Sequence, residues 1–138
     1  MWLYEKSKIE CEIPANIHDV FKFLADKSNV AWRKNIVRVQ TEASSKNIIE
    51  IYLNGQQLTY NLLDENPSKY RIYKIQHRFF SGYIMEEFKF LSKESTRIII
   101  TEKIRMHNDF LGIYSKLALN FKLGQENYVN DLKTHLIK

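Results

Sequence analysis

Apolar and polar residues alternate from Leu3 to Ile13, with Leu3, Ile9, Cys11 and Ile13 on one face and Tyr4, Lys6, Lys8, Glu10 and Glu12 on the other. A period of two is that of a half-buried strand, and Pro14, which cannot donate to a sheet ladder, ends it. The period then lengthens. Between Asn16 and Asp26, the residues Ile17, Val20, Phe21 and Leu24 recur at helical spacing, and Asn16 is placed to cap the first turn. A short amphipathic helix is expected there, and a second helical turn or two from Ser28 to Lys34, carrying Trp32.

From Ile36 to Met106 the alternation returns six times between turn signals at Ser44-Ser45-Lys46, Asn54-Gly55, Asn66-Pro67-Ser68, Ser81-Gly82 and Lys93-Glu94-Ser95. Turns this short join antiparallel neighbours, so six consecutive strands form a meander. The inward sets predicted by alternation are Val37 and Val39; Ile49, Ile51 and Leu53; Leu58, Tyr60 and Leu62; Tyr73, Ile75, His77 and Phe79; Ile84, Glu86, Phe88 and Phe90; and Ile98, Ile100 and Glu102. Tyr70 and Ile72 argue for the opposite phase around residues 70–79, which the pattern leaves open.

The last segment, from about Asp109 to Ile137, places Phe110, Tyr114, Leu117, Phe121, Tyr128, Leu132 and Leu136 at steps of three, four or seven. That is one apolar stripe on one long helix, extending about 40 Å at 1.5 Å per residue. Gly124 interrupts it, at a cost of roughly 1 kcal/mol relative to alanine. Strand, two short helices, six strands and a long helix make an α+β fold with seven antiparallel strands curved around the C-terminal helix. A bent sheet cannot close fully on a single helix, and the space left over is where a pocket is expected.

Composition narrows the class without naming a function. The 138 residues, 44% apolar and 27% charged, fit one globular domain spanning residues 1–138. A chain of this length removes roughly 68% of its unfolded surface from water, so no disulfide or structural metal is needed. Cys11 is the lone cysteine and falls at an inward position, as a core residue does. Met1 to Lys6 lacks the apolar run of a signal peptide, and no later run is long enough to span a bilayer, so a cytoplasmic setting is expected. The net charge of +5 is scattered through the chain, with no aromatic and basic strand of the kind that binds RNA. Nucleic acid is therefore not expected as a partner, while peripheral contact with an anionic membrane stays open, as does the oligomeric state.

Ile13-Pro14-Ala15, Asp19-Val20-Phe21, Leu24-Ala25-Asp26, Trp32 and Ile36-Val37-Arg38-Val39 stand in an order that resembles the opening of the START-like, or SRPBCC, superfamily. Asn66-Pro67, Phe88-Lys89-Phe90 before Ser95-Thr96-Arg97-Ile98, and Asp131-Leu132-Lys133 resemble later landmarks of its bacterial polyketide cyclase, dehydrase and lipid-transport branch. The resemblance covers nearly the whole chain and implies a helix-grip domain with a cavity for lipids, sterols, polyketides or similar molecules. It does not imply one activity, since members include carriers, ring-closing enzymes, sensors and chaperone regulators. One departure is Ser95, where the family pattern has glycine, which bears on the local turn.

Candidate ligand-binding residues are Trp32, Tyr60, Tyr73, Phe79, Phe88, Phe90, Tyr114, Leu117, Phe121 and Tyr128. Each is also an ordinary core residue by type, but buried tyrosine hydroxyls need partners that a wet or filled cavity supplies. Glu86 and Glu102 fall on the inward face of adjacent strands as diagonal neighbours, with His77 near them. Two carboxylates in a dry pocket resist joint ionisation, so one could work as an acid, whereas at the cavity mouth they would be hydrated or paired with Lys74, Lys89 or Arg105. His18, His107 and His135 lack a companion at metal-ligand spacing, and no phosphate loop or dinucleotide fingerprint occurs, so neither metal nor cofactor is expected. The leading expectation is binding or transport of a hydrophobic small molecule. The alternatives are a cyclase, dehydratase or hydrolase of an aromatic or lipid substrate, and an interaction module regulating a protein partner.

Overall fold

The computed structural model describes residues 4–27, 29–41, 47–53, 55–106 and 114–136. Strand β1 (Tyr4–Ile13) leads to helix α1 (Ile17–Ala25), then to strands β2 (Ile36–Thr41), β3 (Ile48–Tyr52), β4 (Gln57–Asn66), β5 (Tyr70–Gln76), β6 (Phe80–Ser92) and β7 (Ser95–Met106). Helix α2 (Tyr114–Leu136) follows. The seven strands form one antiparallel sheet in the order β1-β7-β6-β5-β4-β3-β2. The meander therefore runs from one edge inward, and β1 closes the far edge by pairing with β7.

Asn16 caps α1 as expected, its side chain accepting from the His18 amide at 2.9 Å. One short helix, not two, lies between β1 and β2. Residues 29–35 make turns instead, closed by the Arg33 amide on the Val30 carbonyl at 2.9 Å and the Trp32 indole on the Asn29 carbonyl at 2.8 Å. The segment is held by its side chains and by α2, where Asp131 accepts from the Lys34 amide at 3.1 Å.

Strand phase departs from the sequence expectation in β2 and β3. In β2 the register slips between Ile36 and Arg38, leaving Val37 as the extra residue, 57% exposed, while Ile36 is buried opposite Tyr52. In β3 the expected phase is reversed. Glu50 faces the core at 1% exposure, opposite Leu58, and Ile49, Ile51 and the 71%-exposed Leu53 do not share its face. Leu62 keeps the parity of Leu58 and Tyr60 but stands exposed beside the β4 bulge. In β5 the open phase resolves with Arg71, Tyr73 and Ile75 inward. His77 and Phe79 lie past the end of that strand.

On β6 and β7, Ile84, Glu86, Phe88, Ile98 and Ile100 are buried as expected. Phe90 is a correction, because it lies at the hairpin end beside the register shift between Phe90 and Ser92 and is 62% exposed. Ser95 needs no positive φ in this turn, so the missing glycine costs nothing there. Close approach requires glycine at Gly82, since a Cβ would overlap the Lys103 carbonyl oxygen on β7.

Helix α2 packs through Val129 and Leu132 into the core formed by β1, α1 and β4 to β7. Buried Gln125 ties it down further, accepting from the Ser7 hydroxyl at 2.5 Å and donating to the Ser7 carbonyl at 3.0 Å. The side chains of Tyr114, Leu117 and Phe121 lie outside the described residues. No helix among the described residues is long and apolar enough to cross a membrane.

Candidate functional site

Between the inner face of the sheet and the middle of α2 lies a cavity of about 450 Å³, within the range of small-molecule sites. Its apolar wall comes from Leu58, Ile75, Phe80, Ile84 and Ile100, which alternation delivers to one face of β4 to β7. From the helix side come Leu123, Gly124 and Tyr128, and a Cβ built on Gly124 would meet open space.

The polar residues of the wall form three groups. Glu86 on β6 accepts from Arg71 at 2.9 Å on one oxygen and from Lys27 at 2.9 Å on the other. Arg71 is itself fully buried, giving its other donors to Glu65 at 2.8 Å and to the Phe21 carbonyl at 2.9 Å, with its guanidinium over the Phe21 ring. Every charge in this group is answered.

Glu50 on β3 accepts from Arg33 at 2.8 Å and from the Tyr52 hydroxyl at 2.7 Å, again one partner for each oxygen. Burial works against the Arg33 charge, but Glu50 and the surrounding tyrosines hold the guanidinium more firmly protonated than usual. Arg33 lies against the Tyr128 ring, 4.9 Å from its centroid. Two donors in this corner lack a partner among the described residues: Arg33 Nε and the Tyr128 hydroxyl, both buried. Burial first, and the Glu86 carboxylate next, push the Tyr128 phenol well up, so the hydroxyl stays a donor.

Glu102 makes up the third group by itself. The β6–β7 register sets it opposite Ile84, two residues from Ile100, the partner of Glu86, which is the diagonal placement expected from sequence. Glu102 is half-buried, lines the cavity, and is paired with no cation among the described residues. Burial raises its carboxyl to about 7, with Arg33 opposing the rise and Glu50 adding to it.

The sequence candidates thus separate. Tyr60, Tyr128, Glu86, Glu102 and His77 line the cavity. Trp32 packs behind the wall against Phe23 and edge-on to Tyr128, at 5.6 and 5.1 Å between centroids. Tyr73 stands edge-on to Tyr60 at 5.6 Å, and Phe88 packs on Phe21 beneath Arg71. Phe79 lies beside His77 in the β5–β6 turn, and Phe90 stands outside. His77 meets Gln56 at 2.9 Å and stacks on Phe80.

Sequence reasoning missed Lys27, Arg33, Glu50, Tyr52 and Gln125. The readable signal was Ile-Ile-Glu-Ile-Tyr at positions 48–52, where either face of the strand offers apolar residues and Glu50 can be the inward one. Among the described residues, no group of three or more His, Cys, Asp or Glu side chains could hold a metal ion.

No protein-family model matches the chain, and no curated protein matches it by sequence. Solved structures do match its fold. A START superfamily protein from Mycobacterium smegmatis is 11% identical with a TM-score of 0.75, covering 96% of this chain and 97% of its own. The Zhui aromatase/cyclase from Streptomyces sp. R1128 is 16% identical with a TM-score of 0.74, covering 94% and 90%. A norcoclaurine synthase from Thalictrum flavum is 10% identical with a TM-score of 0.73, covering 99% and 96%. The chain has the START-like helix-grip fold that its sequence resembles.

Proposed function

We propose that residues 1–138 form one ligand-binding domain that holds or carries an apolar small molecule in the cavity between the sheet and α2. The observation that carries this reading is the cavity itself, about 450 Å³ with an apolar wall of sheet residues. Apolar surface placed there gains roughly 25 cal/mol per Å², and the polar corner would fix orientation. The START-like fold supports the same reading at the level of class.

Gly124 supplies the test. Replacing it with leucine adds helix propensity worth about 1 kcal/mol and puts bulk where nothing stands now. Gly124→Leu is expected to keep or raise thermal stability while losing displacement of a polarity-sensitive dye by lipid-like ligands. Native mass spectrometry of the gently purified protein should show a bound small molecule in the unaltered chain and none in the variant. A dye-silent unaltered protein with no bound molecule would overturn the proposal.

A second reading is favoured by Glu102. A half-buried carboxyl near pH 7 is poised to give and take a proton, and the structural neighbours include a cyclase and a synthase. Glu86 is less suited to that work, both its oxygens being engaged by cations. If turnover of an aromatic or lipid substrate is detected, Glu102→Gln should remove it without removing binding; retained turnover would end this reading.

A further inference from the structure

The three groups of the wall differ in what they leave for a guest. Glu86 has both oxygens occupied by Arg71 and Lys27, and Glu50 has both occupied by Arg33 and Tyr52. Each carboxylate oxygen of this pair thus already has a partner. Among the described residues, two buried donors have no partner, Arg33 Nε and the Tyr128 hydroxyl, on two side chains in contact with each other. Both residues line the cavity. Buried polar groups in folded proteins are otherwise satisfied, and orphaned donors beside a cavity mark where an acceptor is to arrive.

Resting on the binding reading above, we infer that the guest carries a carboxylate at its polar end, received by Arg33 Nε and the Tyr128 hydroxyl. The arrangement suits a carboxylate better than the two other common polar ends of apolar molecules. An amine offers no acceptor once protonated, would leave both donors unanswered, and would stand beside the Arg33 cation. An alcohol accepts through one neutral oxygen, whereas a carboxylate presents two charged oxygens to two donors, one of them on a guanidinium. Glu102 does not oppose this. Its carboxyl sits near pH 7, and an arriving anion favours the protonated form, so the guest meets no second bare carboxylate.

The test uses three amphiphiles with one tail, decanoate, decanol and decylamine, titrated calorimetrically into the intact chain at one pH. Decanoate is expected to bind about tenfold or more tightly than the other two. Tyr128→Phe, which removes a single oxygen, should weaken decanoate about tenfold and leave decanol within about threefold. Arg33→Lys keeps a cation for Glu50 but lacks Nε, and should erode the same preference; if that variant fails to fold, Tyr128→Phe decides the matter. Decanol or decylamine binding as tightly as decanoate would overturn the assignment, as would a preference unchanged in Tyr128→Phe, and the cavity would then remain a binding site for another class of molecule. Failure of all three to bind also overturns it. If a polarity-sensitive dye is silent as well, the binding reading falls with it.

Discussion

Arg71 and Arg33 are both withdrawn from water against the inner face of the sheet, yet the protein serves them differently. Arg71 spends its guanidinium on Glu65, Glu86 and the Phe21 carbonyl, joining β4, β5, β6 and α1 in one cluster. Arg33 has Glu50 and an unanswered Nε. The completed cluster behaves as structure, because removing any member strands a charge in a dry place. The incomplete corner lies at the cavity, where a missing partner is an opportunity rather than a defect.

The contrast can be broken first at Arg71. Arg71→Met leaves Glu86 with Lys27 alone and is expected to cost about 3–5 kcal/mol in urea unfolding. A loss below about 1 kcal/mol would show that the cluster is better hydrated than its geometry indicates.

Glu102 gives a smaller and pH-dependent effect. Its folded value of about 7 lies above the ordinary 4.5, so between those values the folded state binds the extra proton. Stability from this group is therefore greatest below pH 4.5 and falls as pH rises to 7. Glu102→Gln carries no such penalty. It should match the parent near the acid end and exceed it at pH 8 by up to about 3 kcal/mol, an upper bound because the cavity admits water. Equal gains at both pH values would count against a raised carboxyl.

The smallest expected effect is at Tyr128. Since its hydroxyl has no partner among the described residues to lose, Tyr128→Phe should change stability in the unliganded protein by no more than about 1 kcal/mol. A larger loss would reveal a partner for the hydroxyl and weaken the distinction between the finished and unfinished corners.

Much of this architecture was legible in alternation. The seven strands, the capped α1 and the long final helix follow from period and turn signals, and the diagonal of Glu86 and Glu102 follows from a long, regular hairpin. The failures have local causes. Val37 misleads because a bulge inserts one residue and resets the phase. Glu50 misleads because Ile49, Ile51 and Leu53 offer a fully apolar face on the same strand, and its partner Arg33 comes from a segment whose path the pattern cannot show. The same holds for Arg71, whose burial depends on Glu86 arriving from the neighbouring strand. Which cation answers a buried carboxylate is invisible to a reading that weighs residues singly.

The pairing of β1 with β7 has a consequence for the order of assembly. Strands β2 to β7 can zip together through neighbours joined by short turns, whereas β1 has no sheet partner until the chain has been made past Met106, and the Ser7–Gln125 contact spans 118 positions. Loop closure over such distances is slow, so a nascent chain leaving the ribosome must keep its first strand unengaged until nearly the last. The interval before that strand docks is when an open β7 edge is available to another chain, and rapid elongation through the final third of the message would shorten it.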